Sequence, residues 1–223
     1  MSAGRLTRVA LAIWCASVFG LGAAGAFVGR PGQPPLALVA GAMLPLAVFG
    51  VAYRGSRAFR DFVLAADLRL VTAFQVSRWA GFGFLSLWAH GVLPGLFAWI
   101  AGLGDMAVGF TAPWIVLALA RDRAFAGTRR FALFNWLGIL DLVVALGLGG
   151  ASTVLLRGGV TMAAMAQLPE ILVPAFMVPL FLMLHITSLL QARRAASVSG
   201  AVSEGWSAAP RVAAGITPAR HVT

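Results

Sequence analysis

Eight polar side chains sit inside or at the ends of otherwise apolar runs: Gln75, Arg78, His90, Asp105, Asn135, Asp141, Glu170 and His185. Carboxylates, imidazoles and a guanidinium bind ions, relay protons or pair with one another. Within apolar spans such groups are costly and usually functional. Asp141 is the sharpest case, because it lies in the middle of "FNWLGILDLVVALGLG", Phe134 to Gly149. A charge at a span centre costs roughly 2.5–3.5 kcal/mol on insertion scales. It therefore needs a partner, and Arg78 falls within about one helical turn of the same depth. The sequence predicts an Arg78–Asp141 contact, which offsets both costs. A pair that only fixes helix register fits the same residues.

The other polar groups sort by depth. His90, Asp105 and Glu170 fall at the outer ends of three apolar runs; Gln75, Arg78, Asn135 and His185 fall in the inner half. Small residues stand at helical spacing from each acid: Gly138 and Ala145 around Asp141, and Gly109 and Ala112 around Asp105. Such faces let helices pack closely. Glu170 and His185 point within about 60° of each other on one helix. Gln75 and Arg78, at i and i+3, share a face. The pattern suggests a buried polar path from Glu170 and Asp105, through Asp141, to His185. For Asp105 a capping role is the alternative, since "HGVLPGLFAWIAGLGD" reads as a short re-entrant or interfacial helix ending at Gly102, with Asp105 on the first turn of the next span.

Several chemistries are disfavoured. The chain has no lysine, all 17 basic residues being Arg, so no Schiff base to retinal or pyridoxal forms. One cysteine, Cys15, excludes an intramolecular disulfide and a cysteine-rich metal site. His90 and His185 lie at different depths, which argues against a bis-His haem. His90, Asp105 and Glu170 offer N and O ligands at one depth, but without tight ligand spacing. No serine stands in a G-x-S-x-G elbow. We expect no resident metal, haem or other cofactor, and enzymatic activity is the less favoured expectation.

The elements that must position these groups follow from composition. The chain is 60% hydrophobic and 11% charged over 223 residues, far from the soluble norm. Six runs are long enough for about 30 Å of hydrocarbon, near 7–29, 35–53, 71–91, 103–120, 131–150 and 169–190. Arg5 and Arg8, then Arg54, Arg57 and Arg60, then Arg121, Arg123, Arg129 and Arg130, then Arg193 and Arg194 all fall on one face of a six-span arrangement, against Arg30 and Arg157 on the other. The positive-inside rule makes that face, and both termini, cytoplasmic. "AGA" at Ala24 to Ala26 resembles a signal-peptidase site, but the apolar run is long for a signal core, so the first helix is expected to stay uncleaved. The stretch from Ser56 to Leu70 reads as an interfacial helix, and 195–223 as a disordered cytoplasmic tail following a membrane domain over 1–194.

A repeat lies in the prolines. "QPPLALVAGAMLPL" (Gln33 to Leu46) matches "QLPEILVPAFMVPL" (Gln167 to Leu180), and a small residue stands four before a proline three times: Gly41 with Pro45, Gly109 with Pro113, Ala175 with Pro179. Proline removes a hydrogen bond and clashes with the carbonyl at i−4, so a small residue there leaves room for a kink. The expected fold is an all-α integral membrane protein of three helical hairpins, each with a kinked second helix. The expected role is a small transporter or channel, with an accessory or sensor protein, or a membrane cofactor or metal protein, as alternatives. The Arg, Ala and Gly bias points to a GC-rich bacterial genome and so to the bacterial cytoplasmic membrane. The lipid bilayer is the expected partner, with copies of the chain or other membrane proteins next. The net charge of +10 is spread through short loops without aromatic interleaving, so nucleic acid is not expected.

Overall fold

The computed structural model describes residues 3–30, 33–156 and 159–208, with side chains to 195. In these residues eight α-helices follow one another: α1 (Ala3–Ala23), α2 (Leu36–Gly55), α3 (Arg57–Leu64), α4 (Leu68–Ala73), α5 (Phe82–Ala89), α6 (Gly95–Arg121), α7 (Arg129–Leu155) and α8 (Val178–Ala208). Among the described residues every regular element is helical. Among the described residues five helices are long and apolar enough to cross a membrane: Gly4–Ala23, Leu36–Gly55, Gly95–Arg121, Arg129–Leu155 and Val173–Ala195.

The expected third span differs from a plain helix. It runs as α4, a 3₁₀ stretch Phe74–Gly81, and α5. Residues at i and i+3 eclipse in a 3₁₀ helix. That places the buried residues Gln75, Arg78 and Gly81 in one line, extended by Thr72 in α4 and Phe84 in α5. A π-helical turn, Val173–Met177, with hydrogen bonds spanning five residues, likewise precedes α8. It stands just before Pro179, whose ring a regular α-turn would press against the carbonyl at Ala175. Pro45 and Pro113 lie inside α2 and α6.

One expectation near the chain's middle is corrected. α6 is one helix from Gly95, with Pro94 at its N-cap, so Leu93 to Ala101 is no separate re-entrant helix and Asp105 lies well inside a helix. This rules out the capping role, because the helix dipole acts only within the first turn. The backbone of α8 stays helical to Ala208, since no proline interrupts it before Pro210. Of the tail expected to be disordered, 209–223 lies outside the described residues.

Packing is uneven. Over an apolar 18-residue stretch of each, 56% of residues are buried in Val173–Ala195, against 6% in Leu36–Gly55 and 11% in Gly4–Ala23, so α8 is central and α1 and α2 peripheral. The stretch Leu68–Ala89 packs antiparallel along α6, and α7 packs on both α6 and α8. α1 packs mainly on α3 and Val173–Met177 rather than along α2, so the first hairpin is not closed as the other two are. Gly41 and Ala175, each four before its proline, do meet: a Cβ at Gly41 would lie 3.3 Å from that of Ala175. The Arg-rich end is tied together by α3, which Ser56 caps through Phe59 N–H (3.2 Å), and by Gln191, which donates to the carbonyls of Val63 and Ala66.

Candidate functional site: a buried guanidinium between two carboxylates

Among the described residues Arg78 is the largest fully buried side chain, and its partners come from three helices, α6, α7 and α8. The 3₁₀ line aims it at α6, where glycines let the backbones approach. A Cβ at Gly81 would lie 2.5 Å from Asp105 Cβ and 2.9 Å from Gly102 O; one at Gly109 would lie 2.7 Å from the Trp79 nitrogen. Only glycine fits such contacts. On α7, Asp141 packs against Gly104 of α6, and Gly138 packs against the His185 ring of α8.

The guanidinium is engaged on several sides. Its Nε donates to Asp105 Oδ1 at 2.6 Å, and Nη2 donates to Asp141 Oδ2. Nη1 lies 3.4 Å from the Gly138 carbonyl oxygen and 3.3 Å from His185 Nε2. Its carbon sits 5.6 Å from the centre of the Phe181 ring, a cation–π distance. Arg has donors and no acceptors, so His185 Nε2 must accept. The imidazole is therefore neutral with its proton on Nδ1, which donates to Asn135 Oδ1 at 2.9 Å. Asn135 Nδ2 in turn donates to the Phe131 carbonyl at 2.8 Å, which fixes the amide's orientation. Both nitrogens of His185 are thus committed.

The contact expected between Arg78 and Asp141 is present, and Asp105 joins it. The carboxylate side chains are 16% (Asp105) and 15% (Asp141) exposed, while Arg78 is at 0%. One positive and two negative groups leave the ionised cluster with one net negative charge. Asp105 also belongs to the wall of a cavity of about 290 Å³, lined otherwise by groups such as Phe84, Phe97, Leu142, Leu146 and Met162, with the exposed Arg30 toward its mouth.

Two expected members stand apart. His90 is exposed, its Nδ1 2.8 Å from the Ser86 carbonyl oxygen, and Glu170 sits in the turn before Val173–Met177, outside the Arg78 cluster. Among the described residues no three His, Cys, Asp or Glu side chains gather to hold a metal. Gln75 is buried beside the cluster, but neither atom of its amide has a hydrogen-bond partner among the described residues, nor has Thr72 Oγ1. Thr72 is not among the residues expected from the sequence. Its signal is the three-residue spacing Thr72, Gln75, Arg78, which has meaning only in 3₁₀ geometry. Asp105 as a second partner was hidden by "GLG", which reads locally as a helix break.

An all-helical bundle with five apolar helices fit to span a bilayer is a multi-pass membrane protein, here with a charged cluster at its centre. The chain belongs to the family described as a domain of unknown function (DUF8737), which matches residues 34–193. That match contains every member of the cluster and leaves α1 outside it. No curated protein and no solved structure matches the chain.

Proposed function

We propose that the protein is a small proton-linked transporter of the bacterial cytoplasmic membrane, working through the Asp105–Arg78–Asp141 cluster. The observation that carries this reading is the charge imbalance: two carboxylates share one buried arginine, and one of them lines a cavity. In a low-dielectric interior an uncompensated charge is expensive, so a proton or other cation is the natural third party. In this reading Leu68–Ala89 is the sixth crossing. At about 1.5 Å per α residue and 2.0 Å per 3₁₀ residue it is about 37 Å long, enough for the hydrocarbon. Six crossings put the Arg-rich end and both termini in the cytoplasm.

The route inward runs past Gln75 and Thr72 rather than His185. His185 has no uncommitted nitrogen, whereas the amide of Gln75 and the hydroxyl of Thr72 are buried with their hydrogen-bonding capacity unused. Such groups are partners for water in transit. Gln75 stands one 3₁₀ turn, about 6 Å, toward the Arg-rich end from Arg78.

The experiment is proton flux in proteoliposomes under a pH gradient, read by an entrapped dye. Wild-type protein should acidify or alkalinise the lumen, and Asp105→Asn or Asp141→Asn should abolish this while the protein stays folded. A second reading, a non-transporting accessory or sensor protein, is favoured by one fact: four of the five N–H donors of Arg78 already have partners, as in a structural lock. Wild-type liposomes without flux, together with Asp141→Asn cells of unaltered phenotype, would decide for that reading.

A further inference from the structure

We propose that the cavity binds an apolar organic ammonium ion, its nitrogen on the carboxylate of Asp105 and its hydrocarbon between α5, α6 and α7. This rests on the transport reading for its purpose and names the substrate class of that site. Size comes first. About 290 Å³, at roughly 30 Å³ for each water-sized group, holds about ten heavy atoms. Shape follows from the helices. α7 walls the cavity from Leu142 to Thr153, about 16 Å of rise, and Phe97 and Asp105 are two turns apart on α6, about 12 Å. The occupant is therefore long rather than round, with one end at Asp105 and the other near the mouth.

Chemistry selects the charge. Among the described residues Arg30 and Asp105 are the two ionisable ones in the wall, and Arg30 is exposed at the rim. The deep end thus offers a carboxylate and nothing positive, because Arg78 is turned away behind it with 0% exposure. Arg78 takes Oδ1, so Oδ2 is the oxygen left for a ligand. A carboxylate ligand would be repelled there. A sugar or polyol would find too few polar partners among Phe84, Phe97, Leu146 and Met162. An ammonium supplies three N–H donors and the one positive charge that the cluster lacks. The Phe84–Phe97 pair, edge to face at 5.4 Å, and the adaptable Met162 and Met165 suit a hydrocarbon or aryl tail.

The stoichiometry follows. A proton and an ammonium are alternative occupants of the same single negative charge, so one leaves as the other enters. Exchange of one monocation for one proton moves no net charge across the membrane.

The test is calorimetric binding to the purified full chain in nanodiscs, with phenethylammonium as the probe. 2-Phenylethanol and 3-phenylpropionate are its neutral and anionic counterparts. Phenethylammonium should bind at least tenfold more tightly than either. Asp105→Asn should weaken it tenfold or more. Gly149→Leu offers a second route that leaves the charges untouched: a Cβ there meets Phe97 at 3.4 Å and Met162 at 3.5 Å, ordinary contacts, and the remaining atoms would occupy the cavity. It too should abolish binding. Equal affinity for all three compounds, binding that survives Gly149→Leu, or no binding at millimolar probe would overturn the proposal. Proton flux without phenethylammonium binding would sink this inference alone. Specific binding, with no protein-dependent proton flux even when phenethylammonium is supplied on one side of the proteoliposome membrane, would sink the transport reading and leave the site standing.

Discussion

Removing the charge of Arg78 should do far more damage than removing either acid, and the order in which the loss is repaired is specific. Arg78→Met leaves two mostly buried carboxylates, 16% and 15% exposed, without their cation, and breaking a buried pair costs about 3–5 kcal/mol. Asp141→Asn is milder, about 1–3 kcal/mol, because Arg78 keeps Asp105 and the Gly138 carbonyl. Asparagine nearly matches aspartate in volume, so the tight approaches of Gly104 to Asp141 and Gly81 to Asp105 are preserved. Adding Asp141→Asn to Arg78→Met should recover only part of the loss, since Asp105 stays unpaired. Adding Asp105→Asn as well should bring stability back to within about 2 kcal/mol of wild type, because whole ion clusters are often replaceable by neutral groups. The packing cost of methionine is common to all three Arg78→Met proteins and cancels in their comparison. The assay is sodium dodecyl sulfate titration of detergent-solubilised protein, followed by the fluorescence of its 7 tryptophans. If Arg78→Met alone loses under about 1 kcal/mol, or if the triple variant is no more stable than Arg78→Met, the three residues do not act as one unit.

Four further outcomes are expected. Gly109→Ala should destabilise by about 1–3 kcal/mol or more, because its Cβ meets backbone that cannot yield, whereas Gly147→Ala, with open space around it, should be neutral or slightly stabilising in the same titration. Gln75→Leu should keep or raise stability by removing an unpartnered buried amide, yet stop proton flux; undiminished flux would remove Gln75 from the route. Asp67 caps α4 through Arg69 N–H, and its hydrogen bonds to Arg69 hold its carboxyl down at about 2. The stability it adds should be full above about pH 4 and vanish as pH falls through about 2, with Asp67→Ala costing about 1 kcal/mol, checked by carbon-13 NMR titration of that carboxyl and by the unfolding midpoint. Reporter fusions at Gln33, Gly91 and Gly159 should read as periplasmic and one at Gly127 as cytoplasmic; a periplasmic reading at Gly127 would refute the six-crossing arrangement.

Apolar run length and arginine placement made the membrane class legible from the sequence, because the bilayer imposes a one-dimensional requirement that composition alone meets or fails. The pairing of Asp141 with Arg78 was legible for the same reason: depth follows from position along a helix, and two opposite charges at one depth have few other solutions. What the sequence left open were matters of lateral packing. Gly102 and Gly104 look like a helix end, yet within the continuous α6 they are notches that admit Gly81 and Asp141. That notch turns Asp105 from a residue at a helix start into the second partner of Arg78. The 3₁₀ register of Phe74–Gly81, which lines up Gln75, Arg78 and Gly81, and the placement of α1 on α3 rather than along α2 were likewise decided by tertiary contact. The physical reason is common to all of them. Hydropathy treats a face toward lipid and a face toward another helix as equally apolar, and a glycine's meaning depends on which backbone approaches it.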